Sequence, residues 1–299
     1  MSRTCRKWKP ITIDLPAFAG WFPDLETERV LLDSFFDSPF AMLIILGAME
    51  EEVGLLAGKV QLSREVVVAG RVMTVGTLEG RDVLVVFSRW GKVAAASTTA
   101  RSIAYCIAAT GKPPEGVVFV GVAGAVDDRL EVGDVVVADA LWQHDLDASP
   151  LFAPMQIPLT ERTHLDADHA LSDRLHAAAD AFVRTEMAGC IAPGILGQYG
   201  LVARPPRVWR GGIATGDQFI KCGHKRGEIK GRLPGSLAVE MEGAAVAQVC
   251  HDDGVPLAVL RVISDKAGET AAIDFTAFLR DIADVMIVNI VQGMLRQGG

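Results

Sequence analysis

Basic charge is scarce in this sequence. The 299 residues carry 29 Lys and Arg against 37 Asp and Glu, a net charge of −8. An acidic chain without a basic run lacks the electrostatic footprint of a nucleic-acid binder. Cysteine is scarce too. Cys5, Cys106, Cys190, Cys222 and Cys250 are scattered with no C-x-x-C pair, which argues against a disulfide framework or a zinc site and for reduced thiols in the cytoplasm. No apolar run approaches the ~18 residues of a membrane span. The amino terminus has Arg3, Arg6, Lys7 and Lys9 but no apolar stretch after them, because Asp14 and Pro16 interrupt it; a secretory signal is not expected. G-x-x-x-x-G-K-[ST] and G-x-S-x-G are both missing. His144-Asp145 has no serine or cysteine nucleophile in a nearby turn. His164 and His169, five apart, do not have a ligand spacing, so neither a metal nor a cofactor is expected.

What is present is apolar: half the residues are hydrophobic and 22% are charged, enough for a sizeable core. Strand-like runs at Met42–Leu46, Asp82–Phe87, Val117–Val122, Val135–Ala138 and Leu257–Ile263 alternate with helical stretches. The helical stretches are Lys92–Ala109, Asp166–Arg184, Glu240–Cys250 and Phe275–Leu295, and Gly212–Thr215 reads as a strand end. Continuous Val, Leu and Ile runs between helices predict an α/β fold, one domain with a central sheet covered on both faces. Residues 1–41 follow no clear period and read as an amino-terminal extension, with 42–299 as the domain proper.

In such folds ligands gather where strand ends meet turns and helix starts, and four of these places carry unusual residues. Glu50-Glu51-Glu52 follow the first strand; acidic groups at a helix start also have the plain explanation of favouring the positive end of the helix dipole. Gly121-Val122-Ala123-Gly124 lets backbone approach a ligand, or merely makes a tight turn. Glu240 and Glu242 flank Met241 at a strand-to-helix junction. Arg261 interrupts an otherwise apolar strand that closes on Ser264-Asp265. A buried arginine requires a carboxylate or a ligand, since an unpaired one costs several kcal/mol or so. A structural Arg261–Glu pair and a ligand contact both satisfy that requirement.

Taken together and in order, six segments resemble the purine nucleoside phosphorylase and nucleosidase superfamily, most of all its bacterial 5′-methylthioadenosine/S-adenosylhomocysteine nucleosidases. They are Met42–Val53, Gly91–Ala96, Glu131–Val137, Thr215–Ile220, Val239–Glu242 and Arg261–Asp265, with Asp274-Phe275 and Phe278-Leu279 in the last helix. The resemblance implies a single domain with a twisted mixed β-sheet flanked by helices. It also implies hydrolysis of the N-glycosidic bond of a 5′-modified adenosine, with a purine nucleoside and water as partners in a homodimer.

By position, Glu52 is then the base that activates water, Arg261 helps to hold that water, and Asp265, supported by Ser264, hydrogen-bonds N7 of the purine. Met241 and Glu242 grip the ribose beside Glu240. Phe219 stacks on adenine, the Ile220 backbone meets its edge, and Met49 and Phe275 surround the 5′-substituent. The chemistry suits these residue types: the purine leaves after protonation or hydrogen bonding at N7, while a carboxylate takes a proton from the water that adds at C1′. Where phosphorylases bind phosphate, this chain has three glutamates after the first strand and Phe119 and Val122 in the strand that follows, so water is the expected nucleophile.

Three departures bear on the substrate. Val122 stands where the nucleosidases usually have serine, Arg89-Trp90 replaces the small pair before Gly91, and the segment after His144-Asp-Leu-Asp147 diverges where the family reaches a neighbouring subunit's 5′-pocket. Other 5′-modified purine nucleosides, such as adenosyl adducts or futalosine, therefore stand as alternative substrates. A phosphorylase and a non-catalytic storage protein on the same fold are the remaining rivals. Family members begin just before the first strand, so the extension is expected to be dispensable for chemistry and Met42 is a candidate start.

Overall fold

The computed structural model describes residues 41–267 and 275–297; most of the expected extension, 1–40, and Asp274 lie outside them. Ten strands form one mixed sheet among the described residues. In chain order they are β1 (Leu43–Gly47), β2 (Gln61–Val68), β3 (Arg71–Leu78), β4 (Arg81–Phe87), β5 (Gly116–Ala125), β6 (Val135–Gln143), β7 (Leu165–Asp166), β8 (Val208–Thr215), β9 (Ser236–Glu240) and β10 (Leu257–Asp265). The helices that matter for the site are α1 (Glu50–Ala57), α2 (Lys92–Thr110), α3 (His169–Ala181), α4 (Gly243–Asp253) and α5 (Asp284–Arg296).

The parallel strands β4, β1, β5 and β10 sit side by side. They read as unbroken apolar runs because both faces are covered. Leu43, Ile45, Val118 and Val120 meet one apolar core with Leu175 of α3 and Ile287 and Val291 of α5, whereas α2 and α4 pack together.

β5 forks. One edge runs along β10 from Val117 to Gly124. Its other edge pairs with β1 only from Gly116 to Phe119, and then with β9 at Gly124 and Ala125. Through β9, β8, β6 and β10 the sheet returns to β5, closing a five-stranded ring. The gap between β1 and β9 leaves residues 120–123 without a strand partner on that edge.

Three expectations need adjusting. Glu240 belongs to β9 and not to the following helix, which starts at Gly243, because the strand is held by long-range pairing with β8. The hairpin β2–β3 has no counterpart in the sequence reading: it lies at the edge of the sheet, where Leu62 and Val67 face solvent and blur the apolar pattern. The closing helix is interrupted by a π turn at Leu279–Ala283.

Candidate active site

An open cleft lies at the fork in β5. Met49, Glu52, Val122, Phe219, Ile220, Glu240, Met241, Glu242, Ser264 and Asp265 all line it, so residues from five separate segments of the sequence meet there. Phe275 opens a short helix, but its side chain lies outside the described residues.

Glu52 takes the place of the missing strand. Its Oε1 accepts the Val122 N–H at 3.1 Å, and its Oε2 accepts the N–H groups of Ala48 at 2.7 Å and Met49 at 3.0 Å. A carboxylate has about four lone-pair sites; three are filled, and the remaining one is on Oε1. Burial raises the Glu52 pKa, while the Arg261 charge and the three N–H groups pull it back down. Gly121 is obligatory next to it, because a Cβ there would lie 2.5 Å from Glu52 Oε1. Gly121→Ala is therefore expected to displace Glu52 and reduce turnover by ~10²-fold or more, the scale of a lost general base. Circular dichroism would show whether the fold survives, and unchanged turnover would remove Glu52 from the chemistry.

Arg261 and Glu240 form the buried pair that was one of the two readings. Arg261, 1% exposed, lies over the Phe119 ring with 4.1 Å to its centroid. It donates to Glu240 Oε2 at 2.8 Å and to the Leu260 carbonyl at 3.0 Å. It does not line the cleft, so a direct grip on water is not what this geometry provides. Glu240 lines the cleft, but its carboxyl is engaged within the protein. Both its oxygens are taken, by Arg261, the Thr215 hydroxyl and the N–H groups of Glu242 and Gly243. This network pins the junction that presents Met241 and Glu242.

Glu242 has one fixed partner, the Gly91 N–H at 2.7 Å from Oε1. Burial first, and then the adjacent Glu240 charge, push its pKa up to about 8. Asp284 on α5 is pushed to about 7 by burial and by Glu52 and Glu51. The sign of the linkage follows. From the ordinary carboxylate range up to about 8 the folded chain holds protons that the unfolded chain releases, so stability falls as pH rises through that window. Glu242→Gln should therefore melt higher than the parent at pH 8, by ~2 °C or more, with the gap closing toward pH 5. A gap independent of pH would contradict this.

Asp265 accepts the Ser264 hydroxyl at 2.8 Å on Oδ2 and the Ala267 N–H at 2.7 Å on Oδ1. Burial raises its pKa, with those two hydrogen bonds opposing. No cation contributes to that balance, in contrast to Glu52. The loop bearing Phe219 is anchored through Asp217, whose Oδ1 accepts the Lys92 N–H at 2.8 Å. The Asp217 N–H donates to Asp145, which also accepts Lys92 Nζ.

The motif at Glu131–Val137 serves the fold alone. Asp134, fully buried, takes both Arg204 nitrogens and the Trp209 indole N–H. Two further residues line the cleft: Gln218, from the Thr215–Ile220 segment, and Trp90, from the pair that departs from the family, which is 57% exposed at the rim.

A family model described as the phosphorylase superfamily matches residues 42–292. A 5′-methylthioadenosine/S-adenosylhomocysteine nucleosidase of Bacillus subtilis is 34% identical over 243 residues, covering 81% of this chain and 93% of its own length. The enzyme of that name from Mycobacterium bovis is 32% identical, covering 80% and 91%. The crystal structure of the Neisseria meningitidis nucleosidase with methylthio-immucillin-A superposes with a TM-score of 0.73 at 28% identity, over 86% of this chain and all of that one. A futalosine hydrolase mutant of Helicobacter pylori gives 0.70 at 30% identity, over 86% and 99%. On the match to 42–292, and on relatives above 30% identity across most of both chains, the protein belongs to the phosphorylase superfamily, among its methylthioadenosine/S-adenosylhomocysteine nucleosidases.

Proposed function

We propose that the protein hydrolyses the N-glycosidic bond of a 5′-modified adenosine, 5′-methylthioadenosine or S-adenosylhomocysteine, releasing adenine. The observation that carries this reading is the convergence of three carboxyl groups, the buried Glu52 and Glu242 and the half-buried Asp265, on one cleft with different partners. Asp265, with its pKa raised by burial, is suited to give a proton or a strong hydrogen bond to N7 as the base departs. Glu52, whose pKa burial raises and Arg261 and three N–H groups bring back down, is suited to take a proton from water on its free Oε1 site. Arg261 acts here as a positioning and electrostatic residue. Glu242 accepts from the ribose hydroxyls, and in its ionised form it favours the positive sugar of the transition state.

Glu50, Glu51 and Glu52 at the start of α1 oppose a phosphate there, so water is the nucleophile. Methylthioadenosine incubated with the protein in phosphate-free buffer should yield adenine by chromatography. A rate that requires phosphate would make the protein a phosphorylase, and no release of base would support a binding role.

We read the protein as a cytoplasmic homodimer, the partner completing the 5′-side. The cysteines at 106, 190, 222 and 250 are free thiols, as a reducing compartment allows, and among the described residues no helix is long and apolar enough to cross a membrane. Light scattering at a single chain's mass for active enzyme would exclude the dimer. A chain starting at Met42 should retain activity, since every proposed catalytic residue lies downstream; loss of adenine release from a folded dimer would assign residues 1–41 to the site.

A further inference from the structure

Helix α2 begins without a cap of its own. Gly91, which precedes it, has no side chain to accept the first amides, so their acceptors come from elsewhere. Two carboxylates distant in the chain supply them. The Gly91 N–H donates to Glu242 Oε1 at 2.7 Å, and the next amide, of Lys92, donates to Asp217 Oδ1 at 2.8 Å. The positive end of a helix favours such anions. Asp217 opens the run whose Gln218, Phe219 and Ile220 line the cleft. Gly91 has φ +90°, and a Cβ there would lie 3.0 Å from Asp217 Oδ1, so glycine suits the turn on both counts.

The Lys92 side chain ties the same loop a second time. Its Nζ donates to Asp145 Oδ1 at 2.7 Å, and Asp145 Oδ2 accepts the Asp217 N–H at 2.8 Å. Lys92 therefore meets Asp217 directly through its backbone, and again, by way of Asp145, with its side chain. The ion pair is sheltered, with 18% of the lysine side chain and 17% of the aspartate exposed. Burial raises the Asp145 pKa, but Lys92 and the Asp217 N–H outweigh it and hold the carboxyl below its usual range. Nζ also donates to Gln143 at 3.3 Å, and Gln143 donates to Gln248 on α4, the helix that starts just after Glu242.

From this ring of contacts we infer that Lys92 is a positioning residue, which sets the Phe219 loop and the Glu242 turn in one register. The inference rests on the nucleosidase reading, in which Phe219 stacks on the base and Glu242 holds the ribose. Neither Glu242 nor the Phe219 loop is held by its own segment alone; both are tied to residues 91 and 92. Lys92 is not among the residues that line the cleft, so it acts through Asp145 and Asp217. A stack made alike in ground state and transition state contributes uniform binding, and its loss raises KM while kcat changes little.

Lys92→Met keeps the backbone N–H to Asp217 and removes the side-chain bonds to Asp145 and Gln143. It should raise KM for methylthioadenosine about tenfold, with kcat within about threefold of the parent. Asp145→Ala, which also takes away the acceptor for the Asp217 N–H, should give at least the same split. In a Phe219→Ala background Lys92→Met should cost less than about twofold, because the loop no longer carries the ring. An equal cost in both backgrounds, or an unchanged KM in Lys92→Met, would overturn the inference. Hydrogen exchange gives a readout independent of turnover. Residues 216–220 should exchange about tenfold faster in Lys92→Met, while β5 and β10 keep their protection. Unaltered exchange in the loop, or a uniform loss of protection that includes those strands, would also overturn it. A parent that releases no adenine from methylthioadenosine ends the nucleosidase reading, and the exchange result then decides by itself whether Lys92 sets the loop.

Discussion

Glu52→Gln and Asp265→Asn are each expected to lower kcat/KM for methylthioadenosine by ~10²–10⁴-fold, the span of a lost general base or acid. The two losses should have different causes. Asparagine at 265 can keep an acceptor toward Ser264 or Ala267, but it has no carboxyl proton to give to N7. Glutamine at 52 presents an amide nitrogen where either Val122 or the Ala48–Met49 pair now donates. It therefore also sets a donor against a donor, at ~1–3 kcal/mol, partly offset by relief of the buried charge. Turnover within about tenfold of the parent in either variant, with the protein folded, would remove that residue from its proposed role.

Arg261→Met is expected to have the largest effect on stability. It leaves Glu240 as a buried carboxylate facing backbone N–H groups without its cation, and breaking such a pair costs ~3–5 kcal/mol. At this chain length that lowers the melting temperature by ~10 °C. The double change Glu240→Leu with Arg261→Met should recover part of the loss, because it removes both charges. A second effect reaches the chemistry. Among the described residues Arg261 is the one cation that lowers the Glu52 pKa, so the acid limb of the kcat/KM profile should move to higher pH in the Met variant. A destabilised protein with an unmoved pH profile would confine Arg261 to a structural role.

The sequence revealed the middle of the sheet more plainly than its edges. β1, β4, β5 and β10 are buried on both faces, so their apolar runs stand out without alternation. β2 and β3 lie at the open edge, where hydrophobic and charged residues mix, and no comparable run marks them. At the site, the order of the segments was sufficient to name Met49, Glu52, Val122, Phe219, Ile220, Met241, Glu242, Ser264 and Asp265, and all of them reach the cleft. It was not sufficient to divide Glu240 from Glu242. Two glutamates flanking a methionine look equivalent in one dimension. They separate only when Thr215 and Arg261, distant in the chain, close around the first and leave the second facing the cleft. Trp90 and Gln218 sit in segments that stand out in the sequence, Arg89-Trp90 and Thr215–Ile220, but only the folded cleft places them at the site.

The fork in β5 has a consequence for amide hydrogen exchange. In an ordinary sheet the protection of an N–H depends on its neighbouring strand and changes little with pH. On this edge the Val122 N–H is protected by a side chain that can itself gain a proton. Protonating Glu52 weakens the acceptor for Val122, Ala48 and Met49 at once, while the neighbouring amides paired with β10 keep theirs. Those three amides are therefore a spectroscopic readout of the charge on Glu52, separable from global unfolding because the rest of β5 stays protected.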